Sequence, residues 1–274
     1  MAKFTTSDGV SIHYEDQGSG LPVLCLAGLT RNARDFDFVA PHLPGVRLIR
    51  MDYRGRGQSG WAEDYSTYSI PRETQDVLEL MAHLSLDKVA ILGTSRGGLI
   101  GMVMAATAKD RLLGVALNDV GPELNMAGLA NIMTYLGVNP DAKTLDDYAL
   151  MRAQMPGFAN VPAERWRTEV THTFVQTRRG VEINYDPRLR DAVAESLQSG
   201  DSPDLWPLFA AIAPLPCAVI HGANSDLLTA EAVDKMAAAL PGLIVAHVPD
   251  RGHVPFLDEP QALDALTHWI KALQ

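Results

Sequence analysis

Val89-Ala90-Ile91-Leu92-Gly93-Thr94-Ser95-Arg96-Gly97-Gly98-Leu99-Ile100-Gly101-Met102-Val103-Met104 is the stretch that decides the fold of this 274-residue chain. Its first four residues are a short apolar run of the kind that forms a buried parallel strand. The residues after Gly97 stay apolar through Ala106, long enough for a buried helix. Between them lies Gly-x-Ser-x-Gly, and a strand, a sharp turn carrying serine and a helix together form the setting in which that motif presents a nucleophile. A chain with 22 glycines can hold so short a motif by chance, so its weight comes from the setting. Gly93 and Gly97, without Cβ atoms, let the two sides of the turn approach while the serine is held in a strained conformation. The helix N-terminus behind Ser95 offers free N–H groups and partial positive charge to a developing oxyanion.

Outward from this stretch, strand and helix signals alternate. Val10, Ile12 and Tyr14 alternate with polar neighbours and read as an opening β ribbon. Residues 21–27 read as a buried strand ending at Gly28, followed by a short helix around 35–43 that Pro44-Gly45 stops. The strand 46–51 runs into Asp52-Tyr53-Arg54-Gly55-Arg56-Gly57-Gln58-Ser59-Gly60. Val77, Leu80, Met81 and Leu84 fall on one face of an amphipathic helix over 71–84, with Ser69 and Pro71 suited to its start. Another strand covers 115–120.

The alternation then breaks. From Gly121 to about Pro214 no good parallel strand appears, and helical periodicity is seen around 144–155 and 162–175. The sheet resumes at 216–221, with a helix near 229–240, a strand at 243–248 and a final helix over 258–273 capped by Asp258. The reading is an α/β fold, a mostly parallel sheet covered on both faces, with a core of residues 1–121 and 214–274 and an inserted helical cap of 122–213.

Composition narrows the function classes. Hydrophobic content of 47% and charged content of 20% describe an ordinary globular protein. A formal net charge of −10 with no basic run argues against a nucleic-acid surface. The N-terminus lacks the apolar core of a signal peptide and no apolar stretch approaches 18 residues, so neither secretion nor a membrane partner is expected. Cys25 and Cys217 lie in apolar strand-like runs and read as buried reduced thiols of a cytoplasmic protein. The histidines show no metal-ligand spacing.

Four segments carry a resemblance: the Asp52-x-Arg54-Gly55-x-Gly57-x-Ser59 loop, the serine turn, His221-Gly222-x-x-Ser225-Asp226, and Gly252-His253-x-Pro255-Phe256. Together they resemble the α/β-hydrolase superfamily, in the branch with a helical cap after the sixth strand. The resemblance covers about 4–121 and 214–274 and implies an eight-stranded sheet and a serine hydrolase whose triad runs Ser, Asp, His along the chain. Ser95 is then the nucleophile, His253 the base and Asp226 the acid that orients it. All three follow predicted strands, and in open α/β sheets functional groups collect beyond the carboxyl ends of strands. Asp119 also follows a strand, one that some relatives use for the acid; here it is assigned to the turn into the cap.

The backbone N–H groups of Leu29 and Arg96 are expected to form the oxyanion hole. The chain departs from the family in having Ala27-Gly28 where His-Gly is frequent, and Arg96 where an apolar residue or Gln is frequent; backbone donors survive both changes. The Arg96 side chain has two readings, a ligand for a substrate carboxylate and, favoured, a structural ion pair near the base of the cap. Asp52 reads as a loop organiser, Arg54 and Arg56 as solvated or paired with acids, and His172 as an ordinary cap residue. Gly28, Met126, Tyr135 and Met155 are the expected substrate-binding residues, within a wider apolar set of Met133, Met151, Phe158 and Trp166. The leading expectation is hydrolysis of small to medium apolar carboxylic esters through an acyl-enzyme, without metal or cofactor, by a monomer or homodimer. Lactonase, carbon–carbon bond hydrolase and acyltransferase activities reuse the same residues, and a ligand receptor on the same fold is the non-enzymatic alternative.

Overall fold

The computed structural model describes residues 2–198 and 204–274. The opening ribbon is β1 (Ala2–Thr5) and β2 (Ser11–Gly18), paired antiparallel. Then come β3 (Leu21–Leu26), β4 (Val46–Met51), β5 (Val89–Thr94) and β6 (Leu112–Asn118). A separate antiparallel hairpin, β7 (Phe174–Thr177) and β8 (Gly180–Ile183), precedes β9 (Cys217–Gly222) and β10 (Ile244–Val248). The main sheet has eight strands in the order β1-β2-β4-β3-β5-β6-β9-β10, parallel from β4 to β10.

Helices α1 (Ile70–His83) and α2 (Arg96–Thr107) flank β5. Between β6 and β9 lie α3 (Met126–Tyr135), α4 (Leu145–Arg152), α5 (Ala163–Thr173), α6 (Leu189–Gln198) and α7 (Trp206–Ala210), and α8 (Ala230–Ala239) and α9 (Pro260–Ala272) complete the chain. Helix α1 starts where the sequence predicts: the Ser69 side chain accepts from Arg72 N, and Val77, Leu80 and Met81 are buried.

The pleat divides the core into two layers. Leu24, Leu26 and Ile91 pack with Val77 and Leu80 of α1, Ile100 and Met104 of α2 and Met236 of α8. Val23, Cys25, Ala90 and Leu92 point the other way, onto Phe36, Val39 and the Leu266 and Trp269 side chains of α9. A one-residue slip of either strand would exchange the layers, and each large apolar side chain misplaced costs on the order of 1.5–3 kcal/mol. That fixes the register that matters for the site: Thr94 lies opposite Asn118, Asn118 opposite Ile220, and Gly222 opposite Val248.

Three expectations are revised. Residues 35–43 form two 3₁₀ turns, Ala33–Phe36 and Ala40–His42, because Pro41 has no N–H to continue a helix. The last helix begins at Pro260 and has no side-chain cap; Asp258 pairs with Arg165 instead. Val175, read as the end of a helix, lies in β7, since α5 stops at Thr173 and the chain turns back at Gly180, whose φ is +129°.

Candidate active site

Ser95 sits between β5 and α2 at φ 49° and ψ −112°, a conformation that L residues adopt only when the surroundings impose it. The flanking glycines allow the close approach it requires. A Cβ at Gly93 would lie 2.4 Å from the Gly97 carbonyl carbon, and one at Gly97 would lie 2.0 Å from the Leu26 oxygen. Ser95 N donates to Asn118 O at 2.9 Å, tying the turn to β6.

His253, in the loop after β10, places Nε2 3.0 Å from Ser95 Oγ. Its Nδ1 lies 2.7 Å from Asp119 Oδ2. A carboxylate only accepts, so the ring proton points from Nδ1 to Asp119 and Nε2 is left to accept from the serine. Asp119 is fully buried. Its Oδ1 accepts from Gly222 N at 2.8 Å and its Oδ2 from Ser225 Oγ at 2.6 Å, so the carboxylate is held from three directions.

This geometry corrects the acid expected from sequence. Asp226 does not reach His253; it is exposed and accepts from Asn131 Nδ2 at 3.1 Å. Register explains the difference. Thr94 and Asn118 are paired neighbours, so Ser95 and Asp119 leave adjacent strands side by side. After β9 the chain makes a turn, with Ser225 N donating to Gly222 O, that aims the Ser225 hydroxyl at Asp119 and carries Asp226 away.

Arg96 opens α2, so its N–H has no intrahelical acceptor, and Gly28 and Leu29 line the same cavity as Ser95. A charge network joins these two backbone segments. Arg96 Nε donates to Glu73 Oε2 at 2.5 Å, and Arg56 Nη1 donates to Glu73 Oε1 at 2.7 Å. Arg56 Nε in turn donates to Leu29 O at 2.9 Å. Burial pushes the Glu73 carboxyl up, but the Arg56 and Arg96 guanidiniums outweigh it and hold it below its ordinary value. The Arg96 side chain is therefore the ion pair expected of it. Arg54 and Arg56 are fully buried rather than solvated, Arg54 on Asp76 and Asp8. Asp52 organises its loop by accepting from Ala33 N, Gln58 N and His13 Nδ1.

Ser95 and His253 open on a cavity of about 1200 Å³, walled by α3, α4 and α5. Gly28, Tyr135 and Met155, expected to bind substrate, line it, with Met151 and Phe158 from the wider apolar set. Met126 does not. As the first residue of α3 it points outward, 59% exposed.

Sequence reasoning missed the charged part of the wall. The Arg31 stem packs beside Ser95: a Cβ on Gly28 would lie 3.3 Å from Arg31 Cδ and 3.9 Å from Ser95 Cβ. Arg31 bonds to both Asp35 and Glu169. Burial raises the Asp35 carboxyl despite Arg31. His172, behind this wall, is pushed down to about 4 by burial, with Arg34 and Arg31 adding to it and Glu169 and Asp37 opposing. The only advance signal for Arg31 was its place three residues after Gly28.

Among the described residues no group of three or more His, Cys, Asp or Glu side chains could hold a metal, and no helix is long and apolar enough to cross a membrane.

A family model described as the alpha/beta hydrolase fold matches residues 22–260, and the chain belongs to that family. The chain is 36% identical over 249 residues to a 3-hydroxybutyrate-oligomer hydrolase of Cupriavidus necator, covering 87% of this chain and 84% of that one. It is 29% identical to a putative 2-succinyl-6-hydroxy-2,4-cyclohexadiene-1-carboxylate synthase of Bacillus subtilis, over 94% of this chain and 93% of that one. Among solved structures, an alpha/beta hydrolase from Novosphingobium aromaticivorans superposes with a TM-score of 0.88 at 35% identity, covering 99% of this chain and 97% of that one. The enzymatic reading expected from sequence stands at this level: the chain is a hydrolase of the α/β fold.

Proposed function

We propose that the protein is a serine esterase that cleaves short oligoesters of hydroxy acids through an acyl-enzyme. The observation that carries this is the Ser95–His253–Asp119 hydrogen-bonded relay opening on a large cavity. His253 takes the proton of Ser95 as Oγ attacks the ester carbonyl, and returns it to the departing alcohol; a second cycle with water releases the acid. Asp119 holds the ring tautomer and stabilises the imidazolium. The Leu29 and Arg96 N–H groups receive the oxyanion, each worth on the order of 10²–10³ in kcat. The name of the Cupriavidus relative supports hydroxybutyrate oligomers as the substrate class. The buried, unpaired thiols of Cys25 and Cys217 support a reducing, cytoplasmic location.

The test uses purified protein, p-nitrophenyl esters of increasing acyl length and the linear 3-hydroxybutyrate dimer. Turnover of the dimer that falls about 10⁶-fold in Ser95→Ala is expected. Turnover of a lactone or a β-diketone with none of the esters would move the enzyme to another reaction class, and saturable binding without product would make it a receptor.

A further inference from the structure

One guanidinium on the cavity wall has no carboxylate of its own. Arg152 ends α4 and lines the cavity that contains Ser95 and His253. Among the described residues no acid lies within 4.0 Å of it, although the other wall arginine, Arg31, holds two. Nη1 of Arg152 donates to Met155 Sδ at 2.8 Å, and Cζ stands 5.4 Å from the centroid of the Trp166 ring. These contacts fix the plane of the group and leave Nε and Nη2 without an acceptor among the described residues. In this same molecule, the Nε and Nη2 edge is what Arg47 uses to take both oxygens of Asp16, and what Arg54 uses to take both oxygens of Asp76. Two parallel N–H groups in a fixed plane match a carboxylate.

Two phenols stand with it. Tyr148 is one helical turn before Arg152 on α4, and Tyr135 ends α3; both line the cavity, and neither hydroxyl has a partner among the described residues. Burial raises both phenols, opposed chiefly by Arg152 and then Arg31, so both keep their protons and can donate. Glu169 is the competing occupant. It is bonded to Arg31, its Oε2 is buried without a partner among the described residues, and it feels the charge of Arg152 without touching it.

We propose that Arg152, with the Tyr135 and Tyr148 hydroxyls, binds a carboxylate carried by the substrate, so that the enzyme prefers esters whose alcohol or acyl part ends in a free acid. This rests on the ester-hydrolase reading above. One guanidinium and two neutral donors match a single carboxylate, and the chain's net charge of −10 disfavours more highly charged anions.

The test separates binding from turnover. Ser95→Ala protein is titrated calorimetrically with the linear hydroxybutyrate dimer and with the same dimer capped as a terminal carboxamide. The acid should bind at least about tenfold tighter than the amide, as expected for charge-assisted hydrogen bonds. Adding Arg152→Gln should bring that ratio close to one, and Arg152→Lys, which keeps the charge but not the fork, should retain part of it. A ratio near one with Arg152 intact overturns the proposal, as does a ratio that survives Arg152→Gln, or no binding of either ligand. Arg152→Gln that lowers thermal stability and leaves the ratio unchanged would make Arg152 a distant counter-charge to Glu169 and nothing more. Should Arg152→Gln not fold, the Lys variant decides: an undiminished ratio overturns the proposal. The ester reading is judged separately, by turnover of p-nitrophenyl acetate in wild type against Ser95→Ala. Its failure would leave the binding ratio to bear on the carboxylate site alone.

Discussion

Two clusters of charge meet at Ser95, and they are built differently. Beneath it, every carboxylate oxygen of Glu73 and Asp76 has a guanidinium partner, from Arg56, Arg96, Arg54 and Arg72. On the cavity wall, Glu169 leaves one oxygen without a partner among the described residues, and behind it both ring nitrogens of His172 lack a hydrogen bond there, with Asp37 3.9 Å away. Arg152 touches no acid there among the described residues. The lower cluster belongs to the frame that sets the backbone around Leu29 and Arg96, where an unpaired buried charge would be costly. The upper one faces a space that a substrate enters, and its unused donors are available to whatever enters it. A floor whose carboxylates are all paired, although Arg56 Nη2 and Arg72 Nε find no acceptor among the described residues, and a wall with an unpaired guanidinium are what the proposed esterase needs: fixed donors for the oxyanion, and selective ones for the rest of the substrate.

Breaking the floor should have the larger effect. Glu73→Gln leaves Arg56 and Arg96 buried without their acid and should cost roughly 3–5 kcal/mol in chemical denaturation. It should also lower kcat at least about tenfold, because both proposed oxyanion segments lose their common tie. Stability lost with kcat intact would mean that Glu73 supports the fold and not the oxyanion hole.

The wall should tolerate the equivalent change better. Glu169→Gln leaves Arg31 with Asp35, so a loss of roughly 1–2 kcal/mol is expected in the same experiment. Equal losses for the two variants would erase the contrast between the clusters.

The smallest effect concerns pH. His172 is held neutral, its folded value of about 4 lying below the ordinary 6.5. The unfolded chain therefore binds its proton first as pH falls, and stability drops between about 6.5 and 4, with the drop complete below the folded value. Denaturation midpoints measured across that window should slope less in His172→Gln; an unchanged slope would assign the acid sensitivity to other groups.

The sequence carried the parts of this molecule that depend on local chemistry. Gly93 and Gly97 permit a strained turn at Ser95, and the apolar runs on either side announce the strand and helix that give the motif its meaning. His253 was legible from its loop. The carboxylate bonded to it was not, because Asp119 and Asp226 each follow a strand, and the pairing of Thr94 with Asn118 shows which one stands beside the serine. Ser225, one residue from the acid that sequence favoured, proves to be a ligand of the one it passed over. Arg31, Arg152 and Glu169 were invisible for a related reason: a charged residue on an amphipathic helix or in a loop reads as solvated until a cavity forms beside it. Met126 failed in the opposite way, since an apolar residue in a first turn has no obligation to face inward.

Everything proposed for the chemistry turns on Asp119, not Asp226, serving His253, and steady-state kinetics of Asp119→Asn and Asp226→Asn on one ester measure it most directly. The geometry predicts a fall in kcat of about 10⁴ for Asp119→Asn and less than about threefold for Asp226→Asn. The reverse pattern, with Asp226→Asn the crippled enzyme, would contradict that assignment at its root.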